Sequence, residues 1–146
     1  MPETEGNAPT ANEPWEYVLH IPHDFRAVTV CRRTVRLILT MHGLIRLTDV
    51  AELLAAELVS NAVRHTKGPV ALRLRMRDGF LRVGAWDADP EPPTPPPSSE
   101  ALTQLTHTEE GRGLALVSSC SDHWGWQPLT RHGRRGKYVW GDLVAA

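Results

Sequence analysis

The sequence predicts an α/β fold, a two-layer sandwich in which a mixed, largely antiparallel sheet carries helices on one face. Three observations lead there. Two helix-periodic segments precede a strand pair, the strand pair closes on an Asp78-Gly79 turn, and a third apolar helix precedes a second strand pair. The chain has 146 residues, is 41% hydrophobic and 23% charged, and so fits one globular domain able to bury a core.

The first elements follow from spacing. Residues 1–13 are polar and rich in Glu, Asn and Pro, which predicts a flexible N-terminal tail before a domain spanning 14–146. Trp15, Tyr17, Leu19 and Ile21 alternate with Glu16, Val18 and His20, as in a half-buried strand ended by Pro22. From Asp24 the period changes: Val28, Cys31, Val35, Ile38 and His42 recur at helical spacing, with Gly43 as the stop. A second helix is expected from Thr48 or Asp49 to His65. Glu52 is placed to close a capping box there, and Val50, Leu54, Leu58 and Ala62 mark the buried side.

The rest of the chain reads in the same way. Val70 to Arg77 alternates, Asp78-Gly79 turns, and Phe80 to Trp86 returns. Prolines occupy six of the eight positions from Pro90 to Pro97, which excludes helix and sheet interiors and leaves an exposed loop reaching Glu110. Gly111 to Cys120 reads as a short apolar helix, Trp124 to Leu129 as a strand, Arg131 to Gly136 as a basic turn and Tyr138 to Leu143 as the last strand.

Composition excludes several functions. A formal net charge of -1 gives no reason to expect a nucleic-acid or membrane partner, and almost all cations are Arg, with Lys67 and Lys137 the two lysines. Cys31 and Cys120 lie in apolar stretches, where a free thiol behaves as a small hydrophobe, so no disulfide scaffold is expected. The N-terminus lacks the basic and apolar regions of a secretory signal and no apolar run approaches membrane-spanning length, so the expected location is cytoplasmic. The seven histidines form neither His-x-His nor His-Glu-x-x-His, which disfavours zinc. Trp124, Trp126 and Trp140 are expected to pack in or beside the sheet.

Two segments carry chemistry. Glu57, Asn61, Arg64 and His65 fall at i, i+4, i+7 and i+8, one stripe of a helix opposite its apolar face. Such a stripe is commonly a solvated face. It is also a place where an amide oxygen can take Mg²⁺ with phosphates and a carboxylate one turn earlier can remove a hydroxyl proton. The second segment is Glu110-Gly111-Arg112-Gly113-Leu114 at the opening of an apolar helix, where exposed amides can bind phosphate. There is no P-loop motif. Between them, Asp87 stands at a strand end, as a turn former or as an acceptor for a base amino group.

In order and spacing these segments resemble the GHKL ATPase superfamily, which includes gyrase, sensor histidine kinases and a heat-shock chaperone. The closest resemblance within it is to small single-domain proteins akin to anti-sigma-factor serine/threonine kinases. Glu57 to Thr66 resembles the N box, Asp87 the aspartate of the first glycine box, Gly111 to Val117 the second glycine box, and Gly136-Lys137-Tyr138-Val139-Trp140 the closing strand. The resemblance implies a Bergerat-type ATP-binding fold with ATP and Mg²⁺ as cofactors. It implies Glu57 as catalytic base, Asn61 as Mg²⁺ ligand, Arg64 and His65 beside the nucleotide, and Asp87 at the adenine amino group. Gly111, Arg112, Gly113 and Leu114 would lie near the phosphates, and residues 88–110 would form the lid.

One departure is clear: the family's Asp-x-Gly-x-Gly reads Asp87-Ala88-Asp89-Pro90-Glu91 here, with both glycines replaced. Two functions follow from the resemblance. The first is a kinase that moves the ATP γ-phosphate to a hydroxyl of a protein partner. The second is a non-catalytic module that sequesters a sigma factor or an anti-anti-sigma-type antagonist in a nucleotide-dependent way. The intact Glu57/Asn61 pair favours the former and the missing glycines the latter, and whether the protein forms a homodimer stays open.

Overall fold

The computed structural model describes residues 13–93 and 121–145. Among these residues five strands form one sheet in the order β1-β2-β3-β5-β4, where β1 is Trp15–Ile21, β2 Val70–Arg77, β3 Phe80–Asp87, β4 His123–Arg131 and β5 Arg134–Val144. All four pairings are antiparallel, so the sheet as described has no parallel component. Helix α1, Ala27–Met41, lies against α2, Thr48–His65, and α2 packs on β2, β3 and β5.

Alternation along the strands assigns the core. Leu72, Leu74 and Met76 of β2 stand in register with Ala85, Val83 and Leu81 of β3, all facing the helices. They meet Leu54, Leu58, Val59 and Val63 of α2, behind which Val35 and Leu39 of α1 close the core. Burial of such side chains contributes about 1.5–3 kcal/mol each. Trp124 and Trp126 pack against this core from β4, while Trp140 lies on the opposite sheet face.

Both hairpins close on two-residue turns. Asp78 and Gly79 have φ of 54° and 81°, His132 and Gly133 of 50° and 78°, the positive pair that matches the twist of antiparallel strands. The second turn is therefore narrower than the Arg131 to Gly136 segment expected, and Gly136 and Lys137 belong to β5. Pro128 sits within β4, which is tolerable because β4 is the sheet edge.

The helix ends depart from expectation in one respect. Gly43, with φ of 75°, stops α1 as anticipated, and the Leu44 amide closes back on the Leu39 carbonyl at 2.8 Å. The capping box at α2 does not form. A 3-10 turn, Ile45–Leu47, runs directly into the helix, so the Thr48 amide and hydroxyl both donate to the Ile45 carbonyl. Glu52 is drawn instead to Arg36 and Arg32 of α1, joining the helices from outside. The helix predicted over Gly111 to Cys120 lies outside the described residues, as do residues 1–12 and 94–110.

Candidate functional site

The Glu57 stripe occupies the shoulder of α2 rather than its far side. Leu58, Ala62 and Val63 are buried in the core, while Glu57, Asn61 and Arg64 are half-buried and His65 is exposed. A carboxylate and an amide one turn apart are thus held by a helix that the core fixes along its length. Arg64 Nη1 donates to Asn61 Oδ1 at 2.9 Å, so the amide oxygen assigned to metal binding carries a guanidinium on one lone pair and keeps the other. That guanidinium sets a positive charge beside the amide, a setting for phosphate oxygens.

The helix end is tied down next to the end of β3. The His23 ring, through Nε2, donates to the Val63 carbonyl at 2.8 Å, occupying one of the last carbonyls of α2. After Thr66 the chain turns through Gly68, where an added Cβ would stand 2.9 Å from the Ala88 side chain. Backbone following Glu57–His65 therefore runs against backbone following Asp87, which brings the two sequence-predicted segments to one corner of the sandwich.

Asp87 is buried at that corner, on the helix-facing side of the sheet, opposite Lys137. Lys137 Nζ donates to Asp87 Oδ1 at 3.1 Å and to the Asp89 carbonyl at 3.1 Å, and lies 3.7 Å from Asp89 Oδ2. Burial pushes the Asp87 carboxyl above the usual carboxylate range, opposed by the Asp89 amide and the Lys137 charge. The Asp89 amide donates to Asp87 Oδ1 at 2.9 Å and the Glu91 amide to Asp89 Oδ1 at 3.0 Å. Two successive side-chain turns thus carry the chain out of β3 where the family has glycines, and neither needs a positive φ.

Gly136 explains why β5 can pass this corner. A Cβ there would stand 2.0 Å from the Asp87 carbonyl oxygen and 2.7 Å from Trp86 Cζ2, so only glycine lets the strands close. Lys137 is the site residue that the sequence reasoning missed. Its signal was parity: Val139 and Leu143 point to the core, so 137 must as well, and an inward lysine requires a buried acid.

Among the sequence-predicted residues, Glu57, Asn61, Arg64 and His65 share α2, and the chain leaving that helix meets the chain leaving β3 after Asp87. Gly111, Arg112, Gly113 and Leu114 lie outside the described residues. Among the described residues no group of three or more His, Cys, Asp or Glu could hold a metal. Nor is any described helix long and apolar enough to cross a membrane.

A five-stranded antiparallel sheet backed by helices, with an acid and an amide on a core helix and a buried aspartate at a strand end, defines a class of nucleotide-binding domain. Comparison with protein families matches residues 21–140 to the histidine kinase-like ATPase domain. The chain belongs to that family, and it is an ATP-binding domain of the GHKL type. No curated protein matches the chain.

Proposed function

We propose that this domain acts as an anti-sigma-factor-type serine/threonine kinase, transferring the γ-phosphate of ATP to a hydroxyl of a protein partner, itself a sigma factor or an anti-anti-sigma-type antagonist. The observation that carries the reading is Glu57 one helical turn before Asn61 on a helix fixed by the core, with Arg64 at the same shoulder. Glu57 accepts the proton of the attacking hydroxyl as the bond from the γ-phosphorus to the ADP oxygen breaks. Asn61 would hold Mg²⁺ with its amide oxygen, and Arg64 would take phosphate charge. Bound Mg²⁺ supplies charge neutralisation across the transferring phosphates. Asp87 receives the base amino group through whatever acceptor capacity Lys137 and the Asp89 amide leave it.

A second reading is favoured by that last feature. The Asp87 carboxylate already receives a lysine and an amide, and the glycine turn of the family is rebuilt from Asp89 and Pro90, which suits a module that binds its partner and uses nucleotide only to set conformation. One experiment separates the two. A partner is captured by pull-down and its phosphorylation followed with γ-labelled ATP. Glu57→Ala is expected to keep ATP binding and lose about 10²–10⁴-fold in transfer rate, whereas Asn61→Ala weakens Mg-ATP binding itself. Equal transfer by wild type and Glu57→Ala removes Glu57 as the base. Partner and ATP binding with no transfer by wild type makes the binding module the better account.

A further inference from the structure

The sheet has a second face, turned away from both helices, and its chemistry differs from the nucleotide corner. Register places Arg73 of β2 beside Gly84 of β3 and Trp140 of β5, with Arg75, Arg82 and Asp142 in the row alongside. Tyr138 fills the space that Gly84 leaves: a Cβ on Gly84 would stand 2.4 Å from the phenol oxygen. The ring thereby carries its hydroxyl among the arginines.

Two polar groups there are buried and unspent. Tyr138 is 3% exposed, and its hydroxyl has no hydrogen-bond partner among the described residues. The Nε of Arg75 is likewise buried without a partner, and no carboxylate pairs with Arg75 among the described residues. Its neighbours are neutralised, Arg73 by Glu16 at 3.0 Å and Arg82 by Asp142 at 2.7 Å. Buried donors left unsatisfied cost about 1–3 kcal/mol each, so an acceptor arriving here regains what the free fold forgoes. Burial holds the Tyr138 phenol in its neutral form, which can donate. Beside the ring lies an open cavity of about 230 Å³ between Arg73 and Arg131, floored by Ala71 and Trp86.

We propose that this face docks an acidic segment of a protein partner, one carboxylate seated at Arg75 and the Tyr138 hydroxyl and an adjacent apolar side chain in the cavity over Trp86. The proposal is independent of the nucleotide site. Charge argues against a second copy of this chain, since a two-fold contact would set the unpaired Arg75 of each copy against the other's arginines. Ring geometry argues against nucleobases. Guanidinium groups already cover the rings, Arg73 at 5.3 Å from Tyr138, Arg82 at 4.5 Å from Trp140 and Arg131 at 5.6 Å from Trp86, so stacking platforms are taken. Arg73 and Arg82 already spend an edge on Glu16 and Asp142, which leaves Arg75 and Arg131 to meet carboxylates.

The test uses the full chain and two labelled peptides, one alternating Glu and Val, the other alternating Gln and Val, followed by fluorescence anisotropy at low and high salt. The acidic peptide is expected to bind at least about tenfold more tightly than its Gln counterpart, with the advantage shrinking as salt rises. Arg75→Gln should remove about tenfold of that affinity without lowering the thermal midpoint, because Arg75 holds no partner among the described residues and its buried Nε is a cost to the free fold. Tyr138→Phe should weaken the acidic peptide and spare the Gln peptide, which keeps the proposal open to test should Arg75→Gln fold poorly. Equal affinity for the two peptides overturns the proposal, as does indifference to both substitutions. Tighter binding of an oligothymidine of matching charge, or a dimer that Arg75→Gln dissociates, replaces the proposed partner with nucleic acid or a second copy.

Discussion

Replacing Lys137 by Met keeps most of the buried stem and removes the charge that faces Asp87. The side chains of the pair are 8% and 5% exposed, so the carboxylate left behind has little access to water. Breaking one side of such a pair costs about 3–5 kcal/mol when the remaining charge stays buried. Asp87 can escape that cost by taking up a proton. Holding an ordinary carboxyl neutral costs about 1.4 kcal/mol per pH unit above its usual value of 3.8, which sets a ceiling of about 4 kcal/mol at pH 7. In wild type, burial already raises the Asp87 value, so the expected loss falls below that ceiling, at about 3 kcal/mol. The sign follows from linkage. A carboxyl whose folded value is raised stabilises the fold below its unfolded value of 3.8 and loses that contribution as pH climbs through the folded value. Lys137→Met raises it further, so its deficit against wild type should be largest near neutrality and shrink toward about pH 4. Urea unfolding followed by tryptophan fluorescence at several pH values measures this directly, with the slope m checking that both states stay comparable. Asp87→Asn combined with Lys137→Met should regain most of the loss, since an amide oxygen can still accept from the Asp89 amide. A deficit below about 1 kcal/mol at pH 7, or one that does not change with pH, would refute the reasoning.

Further outcomes follow from the same packing. Gly136→Ala should destabilise by about 3 kcal/mol or more, because its Cβ would stand 2.0 Å from backbone that cannot yield; urea unfolding checks this, and near-wild-type stability would mean β5 does not pass Asp87 so closely. In a Cys120→Ser background, Cys31 should stay unreactive to a disulfide reagent near pH 8 while folded and react at once in denaturant, since burial pushes its thiol up to about 11. Rapid labelling of the folded protein would contradict that burial.

How far the sequence could be read depends on the range of the physics involved. Strand alternation and the Asp78-Gly79 turn are local, and β1, β2 and β3 appear where they were expected, as does Gly43 at the end of α1. The α2 capping box failed because its partner interactions are tertiary: Arg36 and Arg32 compete for Glu52, and the preceding 3-10 turn already supplies acceptors. His132-Gly133 was hidden within a longer basic run. Its turn character rests on His132 adopting a positive φ, which composition does not announce. At the candidate site, spacing placed Glu57 and Asn61 on one helical stripe and Asp87 at a strand end, while their roles came from the family resemblance; the Lys137 pairing needed the register between β3 and β5. The loss of the family glycines was legible as a departure. Its remedy through the Asp89 and Glu91 amides depends on backbone geometry that residue order does not reveal.

The central claim, that this corner binds ATP with Mg²⁺, is tested most directly by isothermal calorimetry of the purified full chain against ATP, with and without Mg²⁺. The account predicts a saturable heat with Mg²⁺ present, weaker than an intact glycine turn would give, reduced by Asn61→Ala and largely lost when Mg²⁺ is chelated. No heat of binding at millimolar Mg-ATP, with the fold intact by circular dichroism, would contradict it.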